Sequence, residues 1–276
     1  MILLDGQACD SPLLLDRGLA YGDGLFETIA VREGQPLAWS AHMARLARGC
    51  AALSLPAPQP AVLLDDAQRL LSAREHGVIK ILLTRGSGGR GYRPPIAPQP
   101  RRVVSLHPWP AELDEGNGAP RQVWVCRQRL GHQPQLAGIK HLNRLEQVLA
   151  SAEWPSADFF EGLMLDIEGK LIEGIRSNVF VVQGKTLLTP EVSRCGIAGI
   201  VREAVLDCAS AHGFVARVEP MTLAQIGARD EMFLCNSVMG LRVVGEIAHD
   251  DGVIRLENHG AAEAIAAGLR VAKVIP

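Results

Sequence analysis

The sequence predicts a two-domain α/β (α+β) chain, and three observations point to it. Short apolar runs suited to strands alternate with stretches of helical period, the length of 276 residues exceeds the usual single-domain size, and a proline- and glycine-rich break begins near residue 108. Residues 1–107 are expected to form the smaller α+β domain. It opens with a short strand near 2–4 and a loop. A helix over 40–53 follows, with Ser40 as its N-cap and Met43, Leu46, Ala47, Cys50 and Leu53 recurring every three or four residues on a buried face. A second helix spans 61–75, after the proline-rich segment 56–60. Residues 78–83 read as a buried strand and 102–106 as its neighbour. Residues 108–120 combine Pro, Gly, Asn and acidic side chains without apolar period, as an interdomain linker does. The larger domain, 121–276, is expected to hold strands at 121–127, 162–167, 171–174, 179–183, 231–235 and 240–247, with helices at 142–153 and 199–212.

Composition narrows the function. Twenty-eight Lys and Arg against 30 Asp and Glu leave a formal charge of -2, so no charge excess suggests nucleic acid or an anionic membrane as a partner. Hydrophobic residues at 47% and charged residues at 21% exclude a disordered chain. No apolar run approaches the roughly 18 to 20 residues that span a bilayer, and residues 1–5 lack the basic start of a leader, so a cytoplasmic protein is expected. Six scattered cysteines, with no C-x-x-C pair and no clustered His, read as reduced structural thiols without a metal site.

Four segments carry chemistry. Gly86-Ser87-Gly88-Gly89-Arg90-Gly91 satisfies the G-x-G-x-x-G dinucleotide pattern after a strand. That motif must open a helix, which Tyr92-Arg93-Pro94-Pro95 forbids, so a flexible glycine loop is the simpler reading. Arg85, Arg90, Arg93 and Tyr92 still offer donors for a carboxylate. Lys140 is placed at the start of the 142–153 helix, whose Leu142, Leu145, Val148 and Leu149 form an apolar face. A lysine is ordinarily solvated, but Leu136, Ala137 and Ile139 would desolvate this amine and lower its pKa. Glu173 lies among strand-forming apolar residues and needs a partner if buried; an ion pair with Arg176 or a cationic heterocycle would each supply one. Gly199-Ile200 leads into a helix whose free N–H groups suit an anion, although a plain glycine-rich helix start reads the same way.

Taken together with Asp16-Arg17-Gly18, Tyr21-Gly22-Asp23-Gly24-Leu25-Phe26-Glu27 and His42-Met43-Ala44-Arg45-Leu46, these segments resemble the fold-type IV pyridoxal-phosphate enzymes over about residues 1–247. That family includes branched-chain and D-amino acid aminotransferases and a lyase that releases pyruvate from an aminated ring. Residues 84–92 and 136–147 are similar to the lyase branch in particular. The resemblance implies a two-domain fold with pyridoxal 5'-phosphate in the interdomain cleft, a homodimer and a small-molecule substrate. It implies that Lys140 holds the cofactor and acts as base, Glu173 faces its ring nitrogen and Arg45 binds its phosphate. Ser177, Asn178, Gly199, Ile200, Asn236 and Ser237 complete the implied cofactor-binding set. Thr28 matches a position associated with proton delivery to the leaving group, an ordinary strand hydroxyl being the alternative. Arg90 and Tyr92 are the candidates for the substrate carboxylates. Many transaminases place Thr after the Gly-Ile pair; here Val201 offers only its backbone, so the phosphate is expected to lean on Arg45 and Ser237. An aminotransferase would use Lys140 and Glu173 identically, and a cofactor carrier without turnover would keep them too.

Overall fold

The computed structural model describes residues 2–5, 7–9, 11–71, 75–89, 91–113, 119–154, 156 and 158–276. An N-terminal hairpin pairs β1 (Ile2–Leu4) with β2 (Gln7–Cys9). A first antiparallel sheet then forms from β3 (Gly24–Arg32), β4 (Gln35–Pro36), β5 (Gly77–Thr84) and β6 (Arg101–His107), in the order β4-β3-β5-β6. The stretch 5–39, expected as a loop, therefore carries a short helix, α1 (Arg17–Tyr21), and the longest strand of this sheet.

Side chains alternate across the strands, so Leu25, Ile29 and Val31 of β3 and Ile79, Ile81 and Leu83 of β5 face one way. They pack against α2 (Trp39–Ala52) and α3 (Pro60–Leu71), which contribute Met43, Leu46, Cys50, Leu63, Ala67 and Leu71. The opposite face of the sheet presents Phe26, Thr28 and Lys80 to a cleft. Helix α2 begins at Trp39 rather than Ser40. Its N-cap is Ala38, whose left-handed backbone (φ 47°) turns the chain into the helix without a side-chain cap, and Ala47 lies on the exposed side. Helix α3 starts on Pro60, which lacks the N–H that a first turn leaves unpaired, and is described as far as Leu71; residues 72–74 of the expected helix lie outside the described residues.

A second, larger sheet begins with β7 (Arg121–Leu130), β8 (Glu161–Asp166), β9 (Leu171–Gly174) and β10 (Asn178–Gln183). It is completed by β11 (Thr186–Thr189), β12 (Val215–Val218), β13 (Glu231–Asn236), β14 (Gly240–His249) and β15 (Gly252–Arg255). Its order is β12-β11-β10-β13-β14-β7-β8-β9, with β15 paired to β14; the sheet is mixed, with β11/β12, β14/β7 and β7/β8 parallel. Three helices accompany it: α4 (Leu145–Ser151), α5 (Ile200–Cys208) and α6 (Ala261–Val271). Phe180 and Phe233 stack 5.1 Å apart under α5 and α6, and Val179, Val181, Met232 and Leu234 build a separate core on the other face. Strands β11, β12 and β15 and helix α6 were not anticipated from the sequence.

The apolar face expected on the 142–153 helix points the wrong way. Helix α4 starts only at Leu145 and buries Gln147 and Ala150; Ala150 packs with Cys126 and Met164, whereas Leu145, Val148 and Leu149 are exposed, Leu145 by 76%. The small Ala150 lets the helix approach β7 and β8 closely, which turns the leucines outward. Among the described residues no helix is long and apolar enough to cross a membrane.

The glycine loop after β5 is held, not loose, at its first residue. Gly86 has φ 80°, its carbonyl accepts from the Arg17 N–H at 2.9 Å, and a Cβ there would lie 1.9 Å from the Gln99 carbonyl oxygen. Gly86→Ala is expected to destabilise the protein by more than about 1 kcal/mol, since it combines positive φ with a backbone clash. Chemical denaturation of the two proteins checks this, and equal midpoints would contradict it.

Candidate functional site

Lys140 lies upstream of α4, not at its start, on an extended segment sewn down at both ends. Its carbonyl accepts from the Phe26 N–H (3.0 Å), and the Leu142 N–H donates to the Gly24 carbonyl (3.0 Å). On the other side Gly138 exchanges two bonds with the loop before α5: its N–H donates to Gly196 (2.9 Å) and its carbonyl accepts from Ala198 (3.1 Å). The Lys140 amine is carried over the Phe26 ring, 4.3 Å from its centroid, and faces a cavity of about 610 Å³ between the two sheets. Burial first, and the Arg45 charge second, lower its pKa to about 8.

Glu173, on β9, faces the same cavity. One carboxylate oxygen accepts from the Ile197 N–H at 2.8 Å, and the other is buried with no hydrogen-bond partner. Burial pushes its carboxyl up to about 7, against the opposing pull of the Ile197 N–H, Arg144 and Lys140. Arg176 does not pair with it; that guanidinium goes to Glu161 (3.4 Å) and the Phe160 carbonyl (2.9 Å). Gly196 permits this approach: its φ is 84°, and a Cβ would fall 2.7 Å from Ile172 Cγ2 and 3.2 Å from the Glu173 carboxylate.

At a third point of the cavity α5 begins. Gly199 is its N-cap and no side chain caps it, so the N–H groups of its first turn, Ile200 and Val201 included, have no intrahelical acceptor. Arg45, Ser177, Asn178, Asn236 and Ser237 line this region too. Their side chains are already engaged, however. Asn178 donates to the Ile197 carbonyl (2.8 Å) and Ser177 to Glu161 (3.2 Å). Asn236 accepts from the N–H groups of Val238 (2.9 Å) and Met239 (2.7 Å), shaping a turn. The Ser237 hydroxyl donates to the Thr28 carbonyl at 2.7 Å, tying the two sheets together across the cleft.

Arg45 is organised by two residues that the sequence reading did not single out. Its Nε and Nη2 donate to the two oxygens of Glu27 (2.9 and 2.5 Å), and His42 Nδ1 lies 2.6 Å from the same carboxylate. Burial would raise Glu27, but the hydrogen bonds from Arg45 and His42 outweigh it and hold the carboxyl at about 2. A helical signal existed: His42 and Arg45, three apart on α2, share its buried face.

Several expected site residues fall elsewhere. Tyr92 is 83% exposed, does not line the cavity, and rests its ring 5.4 Å from that of Tyr21 while its carbonyl accepts from Arg17. Arg90 lies outside the described residues. Arg85 is buried and spent on Asp23 and the carbonyls of Leu53 and Ser54, and Arg93 is exposed. A His cluster absent from the sequence reading does form: His132, Asp166 and Cys195 bring ligand-type atoms within 4.8 Å. It carries no open ligand set. Asp166 is occupied by His132 and by the N–H groups of Glu168 and Lys170, and burial pushes the Cys195 thiol up to about 12.

One cavity thus joins an amine of lowered pKa, a buried carboxylate oxygen without a partner, and a helix N-terminus beside a guanidinium. These suit, respectively, an aldehyde, a protonated ring nitrogen and a phosphate, which are the three handles of pyridoxal 5'-phosphate. The amino-transferase class IV family matches residues 24–247. Aminodeoxychorismate lyase of Vibrio harveyi is 36% identical over 239 residues, covering 87% of this chain and 88% of its own. A branched-chain-amino-acid aminotransferase of Salmonella typhimurium is 25% identical over 252 residues, covering 87% and 80%. The crystal structure of 4-amino-4-deoxychorismate lyase from Pseudomonas aeruginosa superposes with a TM-score of 0.86 at 42% identity, over 97% of each chain.

The Glu27 carboxyl, held below its ordinary value, contributes stability that is complete above about pH 4.5 and is lost as pH falls toward 2. Glu27→Gln should therefore lower stability at neutral pH by about 3–5 kcal/mol, the usual penalty for breaking a buried ion pair. The gap between variant and parent should close on acidification through that window. Thermal melts along a pH series check it, and a gap constant from pH 7 to pH 3 would refute it.

Proposed function

The chain belongs to the class IV amino-transferase family, and from that premise we propose that it acts as a pyridoxal 5'-phosphate-dependent aminodeoxychorismate lyase. It converts 4-amino-4-deoxychorismate into 4-aminobenzoate and pyruvate by β-elimination, the step that supplies 4-aminobenzoate for folate synthesis. The observation that carries the reading is the Lys140 amine sharing a cavity with the unpartnered oxygen of Glu173. The lyase rather than the aminotransferase branch is favoured by the higher identity to the lyase relatives over nearly the whole chain.

When bound, the cofactor supplies an electron sink for the charge that develops at the carbon bearing the substrate amine. The Lys140 amine would hold it, and the same nitrogen, neutral above its pKa of about 8, would serve as the base that takes the proton from that carbon. Glu173, ionised against the cationic ring, keeps the proton on the ring nitrogen through its free oxygen. The Ile200 and Val201 N–H groups, Arg45 and the Asn236-Ser237 turn would bind the phosphate, with Asn178 bracing the loop before α5 through the Ile197 carbonyl and Ser177 lining the same cavity. The Thr28 hydroxyl, exposed to the cavity on β3, delivers a proton to the ether oxygen as the carbon–oxygen bond breaks, and aromatisation of the ring drives the step. Residues 108–120 are read as the linker between a domain of residues 1–107 and one of residues 121–276. The exposed apolar α4 side chains Leu145, Val148 and Leu149, of which Val148 lines the cavity, fit the subunit contact of a homodimer. A cytoplasmic setting accords with Cys50, Cys126, Cys195, Cys208 and Cys235 being free thiols.

Incubation with 4-amino-4-deoxychorismate should release pyruvate and 4-aminobenzoate in equal amounts. Amine exchange with a 2-oxo acid and no pyruvate would move the chain to the aminotransferase branch, and a bound chromophore with neither activity would make it a carrier. Borohydride reduction followed by peptide mass spectrometry should find the cofactor on Lys140, and Lys140→Ala should show no such adduct. Glu173→Gln should keep the cofactor bound and slow turnover by about a hundredfold, the scale of losing one preorganised electrostatic contact. An undiminished rate in that variant would exclude Glu173 from the ring nitrogen.

A further inference from the structure

The three elements assigned to the cofactor phosphate come from distant parts of the chain: α2 with Arg45, the start of α5, and the turn at 236–240 that joins β13 to β14. What holds them in one place lies behind them. Ile200 and Val201 of α5, with Cys235 and Leu241 on either side of the turn, belong to one apolar cluster, and Ala38, just before α2, packs at its margin. Helix α6 completes that cluster with Ala262, Ile265, Ala266 and Leu269, and Ile275 joins it from the stretch that follows.

Helix α6 is moored at both ends. At its start the Glu231 carboxylate of β13 accepts from the N–H groups of Ala261 and Ala262 (2.9 and 2.8 Å), which supplies acceptors that a first turn lacks. At its end Lys273 takes a left-handed backbone (φ 53°), its N–H donates to the Arg270 carbonyl, and the Val274 N–H donates to the Leu269 carbonyl (both 2.9 Å). That pair of bonds reverses a chain at a helix end. The reversal brings the Lys273 carbonyl to the N–H of Ala38, the N-cap of α2, at 3.2 Å. It also seats Ile275, 2% exposed, against the turn: a Cβ on Gly240, which pairs with Asn236, would lie 3.6 Å from Ile275 Cδ1. Residues 261–275 thus touch all three phosphate-site elements, and they lie outside the stretch 24–247 that the family matches.

Resting on the assignment of the phosphate to these three elements, we propose that Ile275 is a positioning residue for the cofactor phosphate, acting from behind the site by wedging the 236–240 turn against α5 and the start of α2. Hydrogen bonds weaken steeply once their donors are misaimed, so the N–H groups and the guanidinium grip an anion only while they converge on one point. The interior is packed tightly enough that a space opened under the turn lets it sink. The amine and the acid are insulated from that movement. Lys140 is held by backbone bonds to β3 and to the loop before α5, and Glu173 stands on β9, on the far side of the sheet order from α6 and its partner β13. Loss of the wedge is therefore felt at the phosphate and spares the other two handles of the cofactor.

The test uses the full chain, freed of cofactor and titrated with pyridoxal 5'-phosphate and with pyridoxal, which keeps the aldehyde and the ring nitrogen but lacks the phosphate. Absorbance of the bound chromophore reads both affinities without turnover. In Ile275→Ala the phosphate ester should bind about tenfold more weakly, the scale of one charge-assisted hydrogen bond put out of line, while pyridoxal stays within about twofold. Ile275→Val, shorter by one methylene and mild enough to fold, should show the same selective loss at about two- to threefold. Leu63→Ala, a comparable deletion in the core under the first sheet, should lower the denaturation midpoint and leave the preference for the phosphate ester unchanged. Equal weakening of both ligands in the Ile275 variants, no weakening, or the same loss of preference in Leu63→Ala would overturn the role of Ile275. A parent protein that binds pyridoxal as tightly as its phosphate ester would overturn the phosphate assignment as well.

Discussion

Two opposite charges held in one cavity without touching are the constraint on which the rest of the structure depends. Lys140 and Glu173 are each penalised for ionising where they stand, which lowers the amine to about 8 and raises the acid to about 7. Were they adjacent they would pair, and the amine would be tied up as a permanent ammonium. The fold keeps them apart through backbone. The segment around Lys140 is bonded to β3 on one side and to the loop before α5 on the other, and that same loop gives Glu173 its one N–H donor. The width of the gap is therefore set by main-chain hydrogen bonds rather than by flexible side chains, which is how a site keeps its geometry when its contents change.

The neighbouring trio of Glu27, His42 and Arg45 regulates the same amine from behind. Arg45 lowers the Lys140 pKa and Glu27 raises it, so the buried pair delivers a guanidinium to the cavity while cancelling much of the field it would otherwise impose. An unpaired Arg45 would press the amine further down; an unpaired Glu27 would draw it toward a salt bridge. The pairing reaches across the sheet because Glu27 occupies the helix-facing register of β3, whereas Phe26 and Thr28 on either side occupy the cleft-facing register.

That register also explains what was legible in the sequence. Core strands such as 78–83 and 179–183 could be read from periodicity because apolar residues fill their buried faces, and helix α2 because Met43, Leu46 and Cys50 recur at helical spacing although His42 and Arg45 share its buried face. Strand β3 could not, since a charge stands at 27 where alternation demands an apolar residue, and only the tertiary partners His42 and Arg45 make that charge acceptable. Helix α4 misled for the converse reason. Its apolar stripe is real, but the chain's own core takes Ala150 and Gln147 and leaves the leucines outside. Lys140, Glu173 and the start of α5 were found through their surrounding motifs, because a lysine or glutamate by itself says nothing of a cavity. Tyr92 was misplaced because nearness in sequence to Arg85 and the glycine loop says nothing about which way a loop turns.

The charge balance shows how little a net value reveals about a site. A chain with formal charge -2 builds a cavity whose described lining holds five cations and two acids, and it does so by tethering, not by accumulation. Each arginine in the wall is anchored by an acceptor of its own, so its charge has direction and its position resists the pull of whatever binds. The lysines are left without such anchors, and an unanchored ammonium responds to its ligand. Anchored guanidiniums thus shape the permanent part of the pocket, while the amines remain able to move toward whatever binds. On this division, exchanging an arginine for a lysine in the wall would preserve the charge and still erode the site, because the residue would pass from one role to the other.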